Sequence, residues 1–190
     1  MDLYEAIQGR RSCRTFSSDP VDDEKLDRIL NAAVWAPSPM NAQPWEFIVV
    51  KDPATKERMY DEADRCRTWA REQSGWGWLD KYRLDFLKSA PVLVVVVGNP
   101  GKTGVDQFQT GGGTAYQHAC AAAIQNMLLA AHAEGLGSLW FTLYDKINLS
   151  ALLGIGPERV PLAVICLGRP DRELPTVARK DAREKTRTLG

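Results

Sequence analysis

Residues 92–97 read Val-Leu-Val-Val-Val-Val, an unbroken apolar run that constrains the fold more than any other stretch of the chain. Six residues are far too few to cross a bilayer. A strand that is apolar on both faces is a fully buried one, so the run predicts a strand at the centre of a sheet. Three further segments read as strands: residues 45–51, 139–143 and 162–167. Between them lie helical patterns. Residues 2–9 form a short one. Leu26, Ile29, Leu30, Ala33 and Val34 recur at helical spacing, with Asp22, Asp23 and Glu24 in the first turn, where the dipole favours anions. Pro37 and Pro39 end that helix. Residues 54 to about 88 look helical but broken at Gly75 and Gly77, and residues 114–134 make a long helix with Gly135 as its C-cap. Helices mixed with strands, without regular βαβ alternation, point to an α+β sandwich.

A length of 190 residues fits a single domain spanning residues 1–190. The 24 basic and 24 acidic residues cancel, which removes any electrostatic case for nucleic acid or an anionic membrane as partner. The chain starts Met-Asp-Leu-Tyr-Glu, without the basic and apolar regions of a signal peptide. Four scattered cysteines without a Cys-x-x-Cys pair suit reduced thiols in a cytoplasmic protein. With His118 and His132 the only histidines, no metal site is expected.

Two stretches in the first fifty residues carry chemistry. Arg10, Arg11 and Arg14 put three guanidiniums within five residues, with the Ser12 hydroxyl among them. Arginine donates paired hydrogen bonds from a planar fork and stays charged at any working pH, so such a cluster suits a phosphate dianion. A solvated basic turn is the plain alternative. The second stretch, Pro37-Ser38-Pro39-Met40-Asn41-Ala42-Gln43, offers hydroxyl and amide groups on a Pro-kinked loop, equipment for reading the polar edge of a flat heterocycle. An ordinary helix-stopping loop would look similar. Together the two stretches suggest a mononucleotide cofactor.

Arg-Arg-Ser-x-Arg-x-Phe followed by Ala-Pro-Ser-x-x-Asn-x-Gln-Pro-Trp closely resembles the nitroreductase family of FMN-dependent oxidoreductases. The likeness extends in order through residues 122–131, residues 134–140 and the closing Gly168-Arg169-Pro170. It implies a three-layer sandwich, a central mostly antiparallel sheet wrapped by helices, in an intertwined homodimer with FMN at the subunit interface. It also implies a flavoprotein that takes electrons from NAD(P)H through flavin N5 and passes them to a flat acceptor such as a nitroaromatic or quinone, by a ping-pong route. Relatives with reductive dehalogenation or flavin-breakdown chemistry, or a non-catalytic FMN-binding protein, are the alternatives.

By the same resemblance, Arg10, Arg11, Ser12 and Arg14 bind the cofactor's ribityl phosphate, joined by Arg179 near the C-terminus. Pro37, Ser38, Met40, Asn41 and Gln43 line the ring. Trp140, Phe141 and Thr142, on a strand expected to be buried, run past its reactive face, with a backbone N–H near Phe141 and Thr142 directed at N5. No side chain is expected to be catalytic in its own right. Replacing Arg11 and Arg14 by alanine together is expected to release the flavin. Trp69, Trp76 and Trp78, in the variable segment of residues 56–88, are either ordinary core or a substrate lid. The alanine-rich helix of residues 114–134 serves either tight packing within the domain or a subunit interface.

Overall fold

The computed structural model describes residues 1–190. Its elements run α1 (Leu3–Gly9), α2 (Asp23–Val34), β1 (Trp45–Val50), α3 (Pro53–Ser74), α4 (Phe86–Ser89), β2 (Val92–Gly98), α5 (Ala115–Ala133), β3 (Gly137–Phe141), α6 (Lys146–Leu153) and β4 (Val160–Gly168). Side chains fix most of the helix starts. Asp2 and Glu5 form a capping box on α1. Asp22 caps α2 by accepting from the Lys25 amide, and Asp52 caps α3 by accepting from the Thr55 amide. The Asp106 carboxylate reaches across to accept from Thr114 and Ala115 at the head of α5.

The four strands form one sheet in the order β1-β2-β4-β3, with every pair antiparallel. β2 is central and buried along its whole length, as its composition demands. Alternate residues serve opposite layers. Val92, Val94 and Val96, with Ala163, Ile165 and Leu167 of β4, pack under α2 and α5. Leu93, Val95 and Val97, with Val164 and Cys166, pack under α3, α4 and α6. The result is the expected three-layer α+β sandwich. No helix is long and apolar enough to cross a membrane.

Three alanines of α5 pack within the domain: Ala119, Ala123 and Ala131 are buried where α5 lies between α2 and the sheet, and the Asn126 amide donates to the Ala32 carbonyl at 3.1 Å. Gly135 follows the helix with φ +77°. Two expectations need correction. β3 starts and ends two residues before the predicted 139–143, because Gly137 and Ser138 pair with Gly168 and Leu167 while Thr142 and Leu143 turn away toward α6. Phe141 is buried as expected, but Trp140 within the same edge strand is 40% exposed and Thr142 is exposed beyond its end. α6, capped by Asp145 and ended by Gly154 at φ +67°, was not anticipated from the pattern.

Gly137 allows the N-terminal segment to approach the sheet. A Cβ there would lie 2.8 Å from Cys13 Cβ and 3.0 Å from Pro170 Cγ, closer than real contacts allow. Gly137→Val is therefore expected to lower stability by about 2–3 kcal/mol through overpacking. Thermal denaturation checks this, and an unchanged Tm would contradict the close approach.

Candidate cofactor and substrate site

The Arg10–Arg14 segment runs beside β3 in extended conformation. Ser12 bridges Ser138 in parallel sense, and the Cys13 amide donates to the Ser138 carbonyl at 2.9 Å. An extended chain sends alternate side chains to opposite sides. Cys13 points inward and is fully buried, while Ser12 and Arg14 are exposed and Arg10 is half-buried. Arg11 bends back on its own chain: its guanidinium donates to the carbonyls of Gln8 and Arg10. The structure thus separates Arg11 from the face shared by Arg10, Ser12 and Arg14.

Arg179 comes to this cluster from the C-terminal tail. Burial, then Arg179, then Arg11 push the Arg10 guanidinium below its usual value. Burial and the same two N-terminal arginines, Arg10 and Arg11, hold His132 below the ordinary imidazole value. None of Arg10, Arg11, Arg14 and Arg179 forms an ion pair, although carboxylates pair freely with arginines elsewhere on the surface. Clustered cations without a counter-ion are the donor set that a phosphate group satisfies.

The second motif forms a strained loop. Met40, Asn41 and Gln43 have φ of 52°, 53° and 45°, a region that residues other than glycine seldom occupy. The Ser38 hydroxyl accepts from the Gln43 amide at 3.0 Å, and Gln43 Nε2 donates to Asn41 Oδ1 at 3.3 Å. Strain of this kind collects at ligand clamps and is held by the surrounding structure. Here the Gly104 turn supplies part of the support, since a Cβ at Gly104 would lie 2.8 Å from Pro39 Cβ. Pro37 and Met40 are exposed beside it.

The two motifs are not adjacent within the chain. The arginine segment sits at the C-terminal end of α5, where a Cβ on Gly9 would meet the His132 ring at 2.6 Å. The Ser38 loop sits at the other end, packed on the turn that leads through Thr103 to Tyr116. His132 and Tyr116 are separated by roughly 24 Å along a helix that rises about 1.5 Å per residue. The sheet order agrees, because the arginine segment flanks β3 at one edge and the loop precedes β1 at the other.

Beside Arg14 opens a cavity of ≈ 490 Å³ walled by Trp76, Trp78, Tyr82, Trp140, Phe141 and Thr142. Edge contacts brace its walls: Trp78 and Tyr82 have centroids 5.5 Å apart, and Phe86 and Phe141 5.3 Å apart. Only Arg14 and Tyr82 among the lining side chains are ionisable. The Thr142 amide donates to no acceptor within the chain. Trp69 is not part of this cavity. It lines a separate one with Glu62, Cys66 and Tyr144. Sequence reasoning missed Ala70, Ser74, Leu79 and Leu143 as wall residues; Ala70 and Ser74 lie on one face of α3 just ahead of the Gly75 break, around which the tryptophans gather.

Comparison with known proteins gives a consistent result. 5,6-Dimethylbenzimidazole synthase of Rhodospirillum rubrum is 34% identical over 173 residues, covering 89% of this chain and 82% of that protein. An NADH dehydrogenase of Thermus thermophilus is 29% identical, covering 91% of this chain and 89% of that protein. The crystal structure of oxidised iodotyrosine deiodinase bound to FMN and 3-iodo-L-tyrosine superposes with a TM-score of 0.82 at 28% identity, covering 95% of this chain and 96% of that one. The family model described as the Nitroreductase family matches residues 7–169, and the chain belongs to that family.

Proposed function

We propose that the chain is an FMN-dependent oxidoreductase that works as a homodimer and passes electrons from NAD(P)H to a flat acceptor such as a nitroaromatic or quinone. The observation that carries this reading is one extended segment on which Arg10, beside Arg179, and Arg14, lining an aromatic cavity, both lack an ion-pair partner. The donor set fits FMN: guanidiniums and the Ser12 hydroxyl for its phosphate and ribityl chain, and an unpaired amide at Thr142 beside a slot fit for a flat ring. FMN, when bound, supplies the group that accepts hydride from a reduced nicotinamide and releases electrons to a second substrate.

The protein's own part is to bind and orient. The Thr142 N–H is available to donate to the flavin edge that becomes electron-rich on reduction. The tryptophan walls align donor and acceptor in turn. No carboxylate, histidine or lysine lines the cavity, so protons for the acceptor come from solvent.

The wide separation of the Ser38 loop from the arginine segment supports a dimeric site, in which each FMN takes its phosphate contacts from one copy. Pro37, Ser38, Met40, Asn41 and Gln43 of the second copy line its ring. Exposed apolar groups at both ends of α5 suit that pairing: Leu3, Tyr4 and Ile7 at one end, Trp35, Met40 and Phe108 at the other. Such surfaces mark an interaction site. All four cysteines are free, which agrees with work in a reducing cytoplasm.

Initial rates with NADPH varied at several fixed concentrations of menadione or a nitroaromatic should give parallel double-reciprocal lines, the mark of a ping-pong route. Converging lines would contradict it. A second reading, another flavin chemistry on the same site, is favoured by similarity to proteins named for deiodination and dimethylbenzimidazole synthesis. Turnover of 3-iodotyrosine exceeding that of menadione would select it.

A further inference from the structure

We propose that the groove adjoining the aromatic cavity binds a phosphate monoester on the adenosine half of the reductant, making NADPH the preferred donor over NADH. The inference rests on the oxidoreductase reading above and adds the donor's identity and the residues that select it.

The groove has a volume of ≈ 770 Å³ and shares Arg14, Trp78 and Tyr82 with the cavity, so the Trp78–Tyr82 pair forms a wall common to both. A nicotinamide seated in the aromatic slot would lead its tail past that wall. The groove is cationic. Arg14, Lys81, Arg83 and Arg172 line it against Asp85 and Asp171. Arg83 and Asp85 neutralise one another at 2.7 Å. Arg14, Lys81 and Arg172 have no carboxylate partner, which leaves Asp171 as the one opposing charge. With Arg14 given to the FMN phosphate, Lys81 and Arg172 against Asp171 leave an excess of one positive charge in the groove, in a chain whose formal net charge is +0.

A phosphate monoester is drawn to that excess, and its oxygens suit a guanidinium fork from Arg172 and a point charge from Lys81. NADH, which lacks the monoester, leaves part of the excess uncompensated. Lys81 and Arg172 are exposed, so salt should weaken the preference. Neither belongs to the residues assigned to FMN.

Calorimetry on the purified FMN-loaded protein tests this directly, with adenosine 2′,5′-bisphosphate and adenosine 5′-monophosphate as probes. The bisphosphate should bind about tenfold or more tightly than the monophosphate. Lys81→Glu with Arg172→Glu should abolish that difference and lower the NADPH-to-NADH ratio of kcat/KM by about tenfold or more, with the FMN Kd unchanged. Lys81→Gln, a milder change, should reduce both quantities in the same direction. Equal binding of the two probes by the wild-type protein, or a ratio that the variants leave unchanged, overturns the assignment. A chain that binds and reduces FMN but shows equal binding refutes the groove alone. A chain that binds the bisphosphate selectively but no FMN refutes the oxidoreductase reading instead.

Discussion

Arg10→Ala combined with Arg179→Ala is expected to raise the Kd for FMN by roughly a hundred- to a thousandfold, since truncating each charged partner of a buried phosphate costs about 2 kcal/mol or more. Arg10 lies in the field of Arg179 and Arg11, and no carboxylate neutralises the group. Removing two of these charges relieves repulsion in the empty protein while deleting the donors that an anion needs. The fold should therefore survive and the flavin leave. Arg11→Ala should do much less to affinity, because that guanidinium is occupied by the Gln8 and Arg10 carbonyls. This revises the pairing of Arg11 with Arg14 that the motif alone suggests. Fluorescence titration with FMN measures all of these variants. A double variant that keeps wild-type affinity would remove the phosphate assignment.

Trp35→Glu with Phe108→Glu is expected to convert a dimer into monomers and to abolish FMN binding with every arginine intact. Both side chains are more than 80% exposed in the single chain, Trp35 at 85% and Phe108 at 83%. They flank the Ser38 loop, where the Pro39–Asn41 and Gly104–Phe108 turns pack together. In the two-fold arrangement proposed above these side chains meet the opposite end of α5 on the second copy, and carboxylates buried in that apolar contact are costly. Light scattering should show the mass halve, and flavin should wash out on gel filtration. Monomers that retain stoichiometric FMN would mean that one chain completes the site by itself.

The sequence made much of this legible, and the failures have physical causes. The unbroken apolar run of β2 announced a buried central strand because no other environment suits six successive aliphatic side chains. The arginine motif was readable as a cluster. Its division into an outward face and a folded-back Arg11 depended on the bridge between Ser12 and Ser138, a contact between residues far apart in sequence. Likewise the Ser38 loop was marked by its prolines, but its left-handed backbone falls on Met40, Asn41 and Gln43 rather than glycine, so nothing local signalled it. Gly137 and Ser138 lie outside the strand read at 139–143, yet they open β3 by pairing with Gly168 and Leu167, a contact between segments far apart in sequence. Trp69 was grouped with Trp76 and Trp78 by composition, whereas helical spacing puts it with Glu62 and Cys66 on another face of α3. α6 escaped notice because eight residues with little amphipathic contrast give a weak period, although Asp145 and Gly154 bracket it.

The most direct test of the account is an anaerobic absorbance spectrum of the purified protein with FMN, recorded before and after addition of NADPH and of NADH. The expected result is a bound flavin band at ~450 nm, one flavin per chain, that bleaches with NADPH at lower concentration than with NADH. A protein that retains no flavin after gel filtration, or a bound flavin that neither nicotinamide bleaches, would contradict it.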